Sequence, residues 1–139
     1  MLITQKVLED RFNEYNRLYF GGRLNMPYLG FHKSFKDYGR FSCNLHSVGS
    51  KLRNAKITVS SYYNFTEDQL RDVLVHEMLH YKIERNRDRG DDPHGDRFIE
   101  ESARLNEKYG LNITVNPVFD DIEINENAPR FSLMRLIFG

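Results

Sequence analysis

The chain has 139 residues, 40% of them hydrophobic and 29% charged, a balance typical of one soluble globular domain. Its single cysteine, Cys43, excludes an internal disulfide framework and a zinc module built from several cysteines. The net charge is zero, but residues 1–60 hold 10 Lys/Arg against 4 Asp/Glu, whereas residues 61–139 hold 10 against 16. The basic first part is a candidate DNA-contacting region, although an ordinary solvated surface with a local bias explains the same pattern.

The sequence also bears on membranes and compartment. No apolar stretch approaches the roughly 18 residues that a membrane-spanning helix requires. The N-terminus lacks the apolar segment and cleavage site of a signal peptide. We therefore expect no membrane association and a cytoplasmic location.

The first half of the chain predicts one helix followed by strands. Apolar residues recur at helical spacing between Thr4 and Phe20, and the pair Gly21-Gly22 ends this helix. Alternating and β-branched residues then predict three strands. These strands are Tyr28–Lys33, Tyr38–Asn44 and Ala55–Ser61, the last having the clearest pattern.

The second half of the chain predicts two helices. Thr66 and Gln69 have the spacing of a capping box, so a long helix is expected from about Glu67 to Glu84 or Arg85. The remaining predictions are a helix over about Asp96–Tyr109 that ends at Gly110, and a short strand at Asn112–Val115.

The long helix contains the pattern His-Glu-x-x-His at His76, Glu77 and His80. Residues four apart share one helix face, so the two imidazoles are able to bind one zinc ion through nitrogen. Glu77 projects beside the metal, where it is placed to take a proton from zinc-activated water. Burying three such groups without partners would cost several kcal/mol, and a metal ion removes that cost. The pattern therefore predicts metal ligands at His76 and His80 and a general base at Glu77.

A catalytic zinc ion needs a third protein ligand. The metzincin pattern is excluded, because Ile83 and Asn86 stand where it requires Gly and His. His94 is favoured, since it lies between a stiff proline and a permissive glycine at the entry to the next helix. Glu100, with Glu101 as its neighbour, is the alternative, as in a gluzincin-type peptidase.

The order of these segments resembles the SprT-like domain, the metalloprotease domain of bacterial SprT proteins and of eukaryotic Spartan. The resemblance covers roughly residues 5–116. It is carried by Phe12–Leu24, Tyr38–Asn44, Ala55–Ser61, His76–His80, His94–Phe98 and Tyr109–Val115. The His-Gly-x-x-Phe segment at His94 is similar to the family segment that supplies the third zinc ligand.

The resemblance implies a small α+β, zincin-like metalloprotease domain over residues 1–116. Its expected parts are an N-terminal helix, a three- to four-stranded sheet, the active-site helix and a following helix. Residues 117–139 would form a C-terminal extension that packs on the domain or binds a partner. Carried over by position, His76, His80 and His94 would bind Zn²⁺ and Glu77 would be the base.

The implied activity is zinc-dependent cleavage of protein or peptide substrates, including proteins associated with or crosslinked to DNA. Any DNA contact would use the basic N-terminal portion, because a cysteine-rich zinc ribbon cannot be built from one cysteine. A DNA- or protein-binding module with a structural zinc site is the alternative. The donor to the reaction's oxyanion is left open among four residues, namely Tyr38, Arg40, His46 and Tyr81.

Overall fold

The computed structural model describes residues 1–44, 53–86 and 94–129. Within these ranges the chain forms a small α+β structure with three helices and two small sheets. The helices are α1 (Gln5–Tyr19), α2 (Glu67–Asn86) and α3 (Asp96–Tyr109), and the strands are β1 (Tyr28–His32), β2 (Gly39–Asn44), β3 (Arg53–Ser60), β4 (Tyr63–Asn64) and β5 (Glu123–Ile124).

Local capping signals define the ends of α1 and α3. Thr4 caps α1, its hydroxyl oxygen accepting a hydrogen bond from the Val7 amide at 3.2 Å. After α1, Gly21 and Gly22 have φ values of 63° and 70°, and Gly110 after α3 has a φ of 69°. This left-handed conformation strains other residues far more than glycine. The predicted bounds of both helices are confirmed, to within one residue for α1.

A reciprocal capping box opens α2. The main-chain amide of Gln69 donates to the Thr66 hydroxyl at 3.2 Å, and the main-chain amide of Thr66 donates to the side-chain oxygen of Gln69 at 2.9 Å. The helix then runs to Asn86, one or two residues past the predicted end. Seven consecutive residues, Val73–Leu79, are each at most 7% exposed, so this part of α2 is enclosed on every side.

The main sheet has the strand order β1-β3-β2, with β1 parallel and β2 antiparallel to β3. This is a three-stranded sheet, within the three to four strands expected. Ile57 and Val59 of β3 are 0% and 1% exposed and point into the core. Phe41 of β2 stacks on Tyr81 of α2 with ring centroids 5.6 Å apart. One face of the sheet therefore covers α2.

The segment after residue 116 lies against the body of the protein. Strand β5 pairs with β4 in a two-stranded antiparallel sheet, which the sequence patterns did not predict. The Phe119 amide donates to the Tyr38 hydroxyl at 3.3 Å, and the Gln69 amide group donates to Asp121 at 3.2 Å. Residues 130–139 of the expected extension lie outside the described residues.

The predicted strand at Asn112–Val115 is wrong. The segment has no strand pairing. The main-chain N–H and C=O groups of Ile113 bond instead to the side chain of Asn106, at 2.8 and 2.9 Å. Leu111 and Ile113 are buried, at 7% and 3% exposure, but the hydrogen-bonding partner of the segment is a side chain rather than a strand.

The helices also bear on membrane insertion. None of those in the described part of the chain combines the length and apolar character needed to cross a bilayer.

The capping box yields a test of the fold. Replacing Thr66 by Ala removes the acceptor for the Gln69 amide, and we expect the free energy of unfolding to fall by about 1 kcal/mol. Thr66→Ser keeps the hydroxyl and is the matched control, expected to unfold close to the parent chain. Denaturant unfolding followed by circular dichroism measures both. Equal stability of the Ala and Ser variants would contradict a stabilising box.

Candidate metal centre

Three imidazoles converge beside the buried part of α2. His76 and His80 lie one turn apart on α2, and His94 comes from the turn before α3. The Nε2 atom of His80 is 3.2 Å from that of His76 and 2.9 Å from that of His94. The third separation, between His94 and His76, is 3.4 Å. The three histidines predicted from the sequence as metal ligands thus form one cluster.

The protonation state of the cluster follows from its surroundings. Burial, followed by the charge of His94, lowers the pKa of His76 to about 4. Burial, followed by the charges of His76 and His94, lowers the pKa of His80 to about 3. Both rings are therefore neutral near pH 7, which is the state that binds metal.

A backbone carbonyl sets the tautomer of His76. Its Nδ1 atom lies 2.9 Å from the carbonyl oxygen of Thr114. Because a carbonyl only accepts, Nδ1 carries the hydrogen and Nε2 carries a lone pair. This lone pair points toward the other two Nε2 atoms, as it does in metal-binding histidines whose second nitrogen donates to a carbonyl.

The donor set fits a zinc ion. With Zn–N distances of about 2.0–2.1 Å, two ligands of a tetrahedral ion lie about 3.3–3.4 Å apart. The observed separations of 2.9, 3.2 and 3.4 Å are close to this value. At such distances the nitrogens crowd their lone pairs together, because the Nε2 atom of His76 carries no hydrogen. A cation in their midst removes that repulsion.

Phe98 forms a floor beneath the cluster. Its ring is 1% exposed, and its centroid lies 4.9, 4.7 and 5.0 Å from those of His76, His80 and His94. Phe98 follows His94 by four residues, one helical turn into α3. The sequence contained this residue within its His-Gly-x-x-Phe segment, but its contact with all three histidines was not predicted.

Glu77 is buried next to the cluster without belonging to it. The residue is 7% exposed, and its Oε2 atom lies 4.0 Å from the Nε2 atom of His76. Burial, with a smaller contribution from the charge of Asp37, raises the pKa of Glu77 to about 8. A divalent cation held by the histidines acts in the opposite direction and favours the carboxylate.

Asp37 is the neighbouring charge, and it is fixed by a network on the sheet. It lies 2.7 Å from Nε2 of His32 and 2.8 Å from Nε of Arg40, and His32 contacts the Thr58 hydroxyl at 2.7 Å through Nδ1. Burial alone would raise the pKa of Asp37, but the hydrogen bonds from Arg40 and His32 outweigh it and hold the pKa below its ordinary value. Asp37 thus remains an anion near Glu77.

Gly39 lets strand β2 approach Glu77 closely. A Cβ atom at this position would lie 3.0 Å from Oε2 and 3.1 Å from Cγ of Glu77, and 2.8 Å from Cγ1 of Val73. A side chain here would therefore displace the carboxylate or the helix. No pattern in the sequence marks this contact, because a missing side chain gives no signal of what lies next to it.

The carboxylates considered as alternative ligands lie elsewhere. The Glu100 side chain is 68% exposed and its nearest cation is Arg97, at 3.7 Å. Glu101 forms ion pairs with Lys82 at 3.0 Å and Arg104 at 2.8 Å. Since Glu100 follows the inward-facing Phe98 by two residues, it lies about 200° around the helix and faces outward.

Three of the four candidate oxyanion donors are engaged in other contacts. The Tyr38 hydroxyl accepts from Phe119, and the two rings stack at 4.9 Å. Arg40 pairs with Asp37. Tyr81 is 5% exposed beneath Phe41. These contacts account for Tyr81 as a packing residue. The fourth candidate, His46, lies outside the described residues.

The fold and the cluster together define a small α+β protein with a three-histidine centre suited to a metal ion. The model of the SprT-like family matches residues 8–117, and the chain belongs to this family. No curated protein matches the chain. Family membership indicates a metalloprotease-type domain, in a family that is in general metal-dependent.

The assignment of the third ligand can be tested by zinc titration. Removing a converging nitrogen should weaken zinc binding more than the 10- to 100-fold loss typical of outer-shell changes, so we expect His94→Ala to lose at least about 100-fold in affinity. Glu100→Ala changes an exposed residue of the helix that follows His94. It is the matched control and should bind zinc like the parent chain. The reverse order of affinities would reject His94 in favour of Glu100.

Proposed function

We propose that this protein is a zinc-dependent endopeptidase with a zincin-like centre, in which His76, His80 and His94 hold the metal and Glu77 is the general base. The observation that carries the proposal is the convergence of three Nε2 atoms with the Glu77 carboxylate oxygen 4.0 Å from one of them. Neighbouring residues on a helix serve different roles here: two histidines bind, and the glutamate between them moves protons.

The chemistry divides between the ion and the chain. A zinc ion held by the three histidines would act as a Lewis acid on the scissile carbonyl and would lower the pKa of water towards ~7. Glu77 accepts a proton from the attacking water and then donates it to the leaving amine. Asp37 and Gly39 limit where its carboxylate sits, one through charge and the other through close approach of the strand. Phe98 and the buried helix exclude solvent from the opposite side of the cluster.

A structural zinc site is the rival proposal, and Glu77 disfavours it. A closed structural site takes four protein ligands. Within residues 1–44, 53–86 and 94–129, the cluster of potential ligand side chains holds three histidines. A buried carboxylate beside the ligands costs free energy through desolvation, and a closed structural site has no need of a general base.

We further propose that the substrates are DNA-associated proteins. The support is the excess of Lys and Arg in residues 1–60 and the sheet face turned away from α2. On that face the register places Lys56 beside Tyr28 and Arg40 beside Thr58. Tyr28 is 58% exposed, and the Lys56 ammonium lies 5.7 Å from the centre of its ring. Cations and an exposed ring on one face suit contact with single-stranded DNA.

Replacing Glu77 by Gln tests the reaction. The amide keeps the size of the side chain but cannot take a proton, so we expect kcat to fall by about 10²–10⁴-fold while zinc content is unchanged. The assay is cleavage of a basic DNA-binding protein by the full chain, with and without single-stranded DNA. A chelator should abolish cleavage by the parent chain. Full metal-dependent cleavage by Glu77→Gln would refute the assigned base, and cleavage indifferent to DNA would refute the DNA-associated substrate.

Gly39 provides an independent test of how Glu77 is held. Gly39→Ala should lower cleavage by about 10- to 100-fold, because its methyl group displaces the carboxylate, and should destabilise the fold by about 1–3 kcal/mol. Gly30→Ala is the control for a methyl group added to the sheet, since the three atoms nearest to its Cβ all belong to the exposed Tyr28. Because Tyr28 lies on the face proposed to contact DNA, both variants are assayed at saturating single-stranded DNA. Cleavage is compared at a temperature where both variants are folded and zinc-loaded. Equal activity in the two variants would contradict the role of Gly39.

A further inference from the structure

The side chain of Asn106 in α3 binds the main chain of the segment that follows this helix. Its Nδ2 atom donates to the carbonyl oxygen of Ile113 at 2.9 Å, and its Oδ1 atom accepts from the Ile113 amide at 2.8 Å. One side chain therefore makes both hydrogen bonds that a neighbouring strand would make. Ile113 is 3% exposed, so these hydrogen bonds also satisfy main-chain groups that would otherwise be buried without partners.

The segment held by Asn106 leads directly to the metal centre. The carbonyl next along the chain, that of Thr114, is the one that accepts from Nδ1 of His76 at 2.9 Å. Only the φ and ψ angles of Thr114 separate the peptide plane of the Ile113 carbonyl from that of the Thr114 carbonyl. Fixing the Ile113 carbonyl toward Asn106 therefore limits where the Thr114 carbonyl can point.

The same local arrangement occurs at the end of α1, where it serves no histidine. Asn16 donates to the Leu24 carbonyl at 2.8 Å and accepts from the Leu24 amide at 3.1 Å. In both copies a tyrosine follows the asparagine by three residues, and the rings of Tyr19 and Tyr109 meet with centroids 5.0 Å apart. The main chain that Asn16 binds is that of Leu24, a core residue at 5% exposure.

We propose that Asn106 is a positioning residue for the metal centre. By fixing the main chain at Ile113, it places the Thr114 carbonyl that holds His76 in the ring orientation and tautomer needed for Nε2 to meet the other two nitrogens. The inference rests on the proposed zinc site but does not require that the chain cleave peptides. Both ends of α3 would then contribute to the metal centre. His94 lies on the turn before its start, and Asn106 lies near its end.

The two asparagines supply a matched pair of variants. Asn106→Ala and Asn16→Ala each remove one double hydrogen bond to the main chain, so both should lower the stability of the fold. Zinc affinity, measured on the full chain by competition with a chromogenic chelator, should separate them. We expect Asn106→Ala to bind zinc about 10- to 100-fold more weakly and Asn16→Ala to bind it like the parent chain. The visible absorption of the Co²⁺-loaded proteins should change only for Asn106→Ala.

Asn106→Asp and Asn16→Asp serve if an alanine variant does not fold. The aspartate still accepts from the amide but cannot donate to the carbonyl, so only Asn106→Asp should weaken zinc binding. Unchanged zinc affinity in the Asn106 variants, or equal weakening in the Asn16 variants, would overturn the proposal. Failure of the parent chain to bind zinc would overturn it together with the proposed function. Zinc binding without proteolysis would reject the activity alone.

Discussion

Enclosure of helix α2 is the constraint on which the rest of the structure depends. From Val73 to Leu79 every residue is at most 7% exposed, so a polar group in this stretch has to find its partners within the protein. For His76 the partner is a carbonyl on one side and two imidazoles on the other. For Glu77 the enclosure raises the pKa of the carboxyl group. The geometry of the histidine cluster and the raised pKa of Glu77 thus have one common origin in burial.

The surrounding elements each supply what this helix lacks. The sheet covers one side, and its β2 strand comes close because position 39 is a glycine. The turn before α3 contributes His94, and α3 itself contributes Phe98 in its first turn and Asn106 near its last turn. The segment from 111 to 119 then contacts His76 through the Thr114 carbonyl and Tyr38 through the Phe119 amide. Two of the histidines lie on α2 and the third lies on the turn before α3, but their alignment depends on contacts from most of the domain.

The features that could be predicted from the sequence are those with local causes. Glycines with positive φ ended α1 and α3, and the Thr66–Gln69 box opened α2. The histidines could be predicted because both signals are visible in the sequence. His76 and His80 have the four-residue spacing of one helix face, and His94 lies in a segment that resembles the family's. Contacts made by main-chain atoms have no such sequence signal. Neither the hydrogen bond to the Thr114 carbonyl nor the close approach at Gly39 depends on a recognisable pattern. The β4–β5 pair was missed because residues about 60 apart meet there over two positions each.

The Thr114–His76 hydrogen bond also imposes an order in time. Its two partners are 38 residues apart in the chain, and synthesis proceeds from the N-terminus at about 5–20 residues per second. About 2–8 s therefore separate the appearance of the Glu77-bearing helix from that of the carbonyl that aligns its first histidine. His94 lies 18 residues after His76, so it is made roughly half-way through that interval, and the Thr114 carbonyl follows later. The proposed endopeptidase would thus complete its metal centre late in synthesis, well after Glu77 has been made.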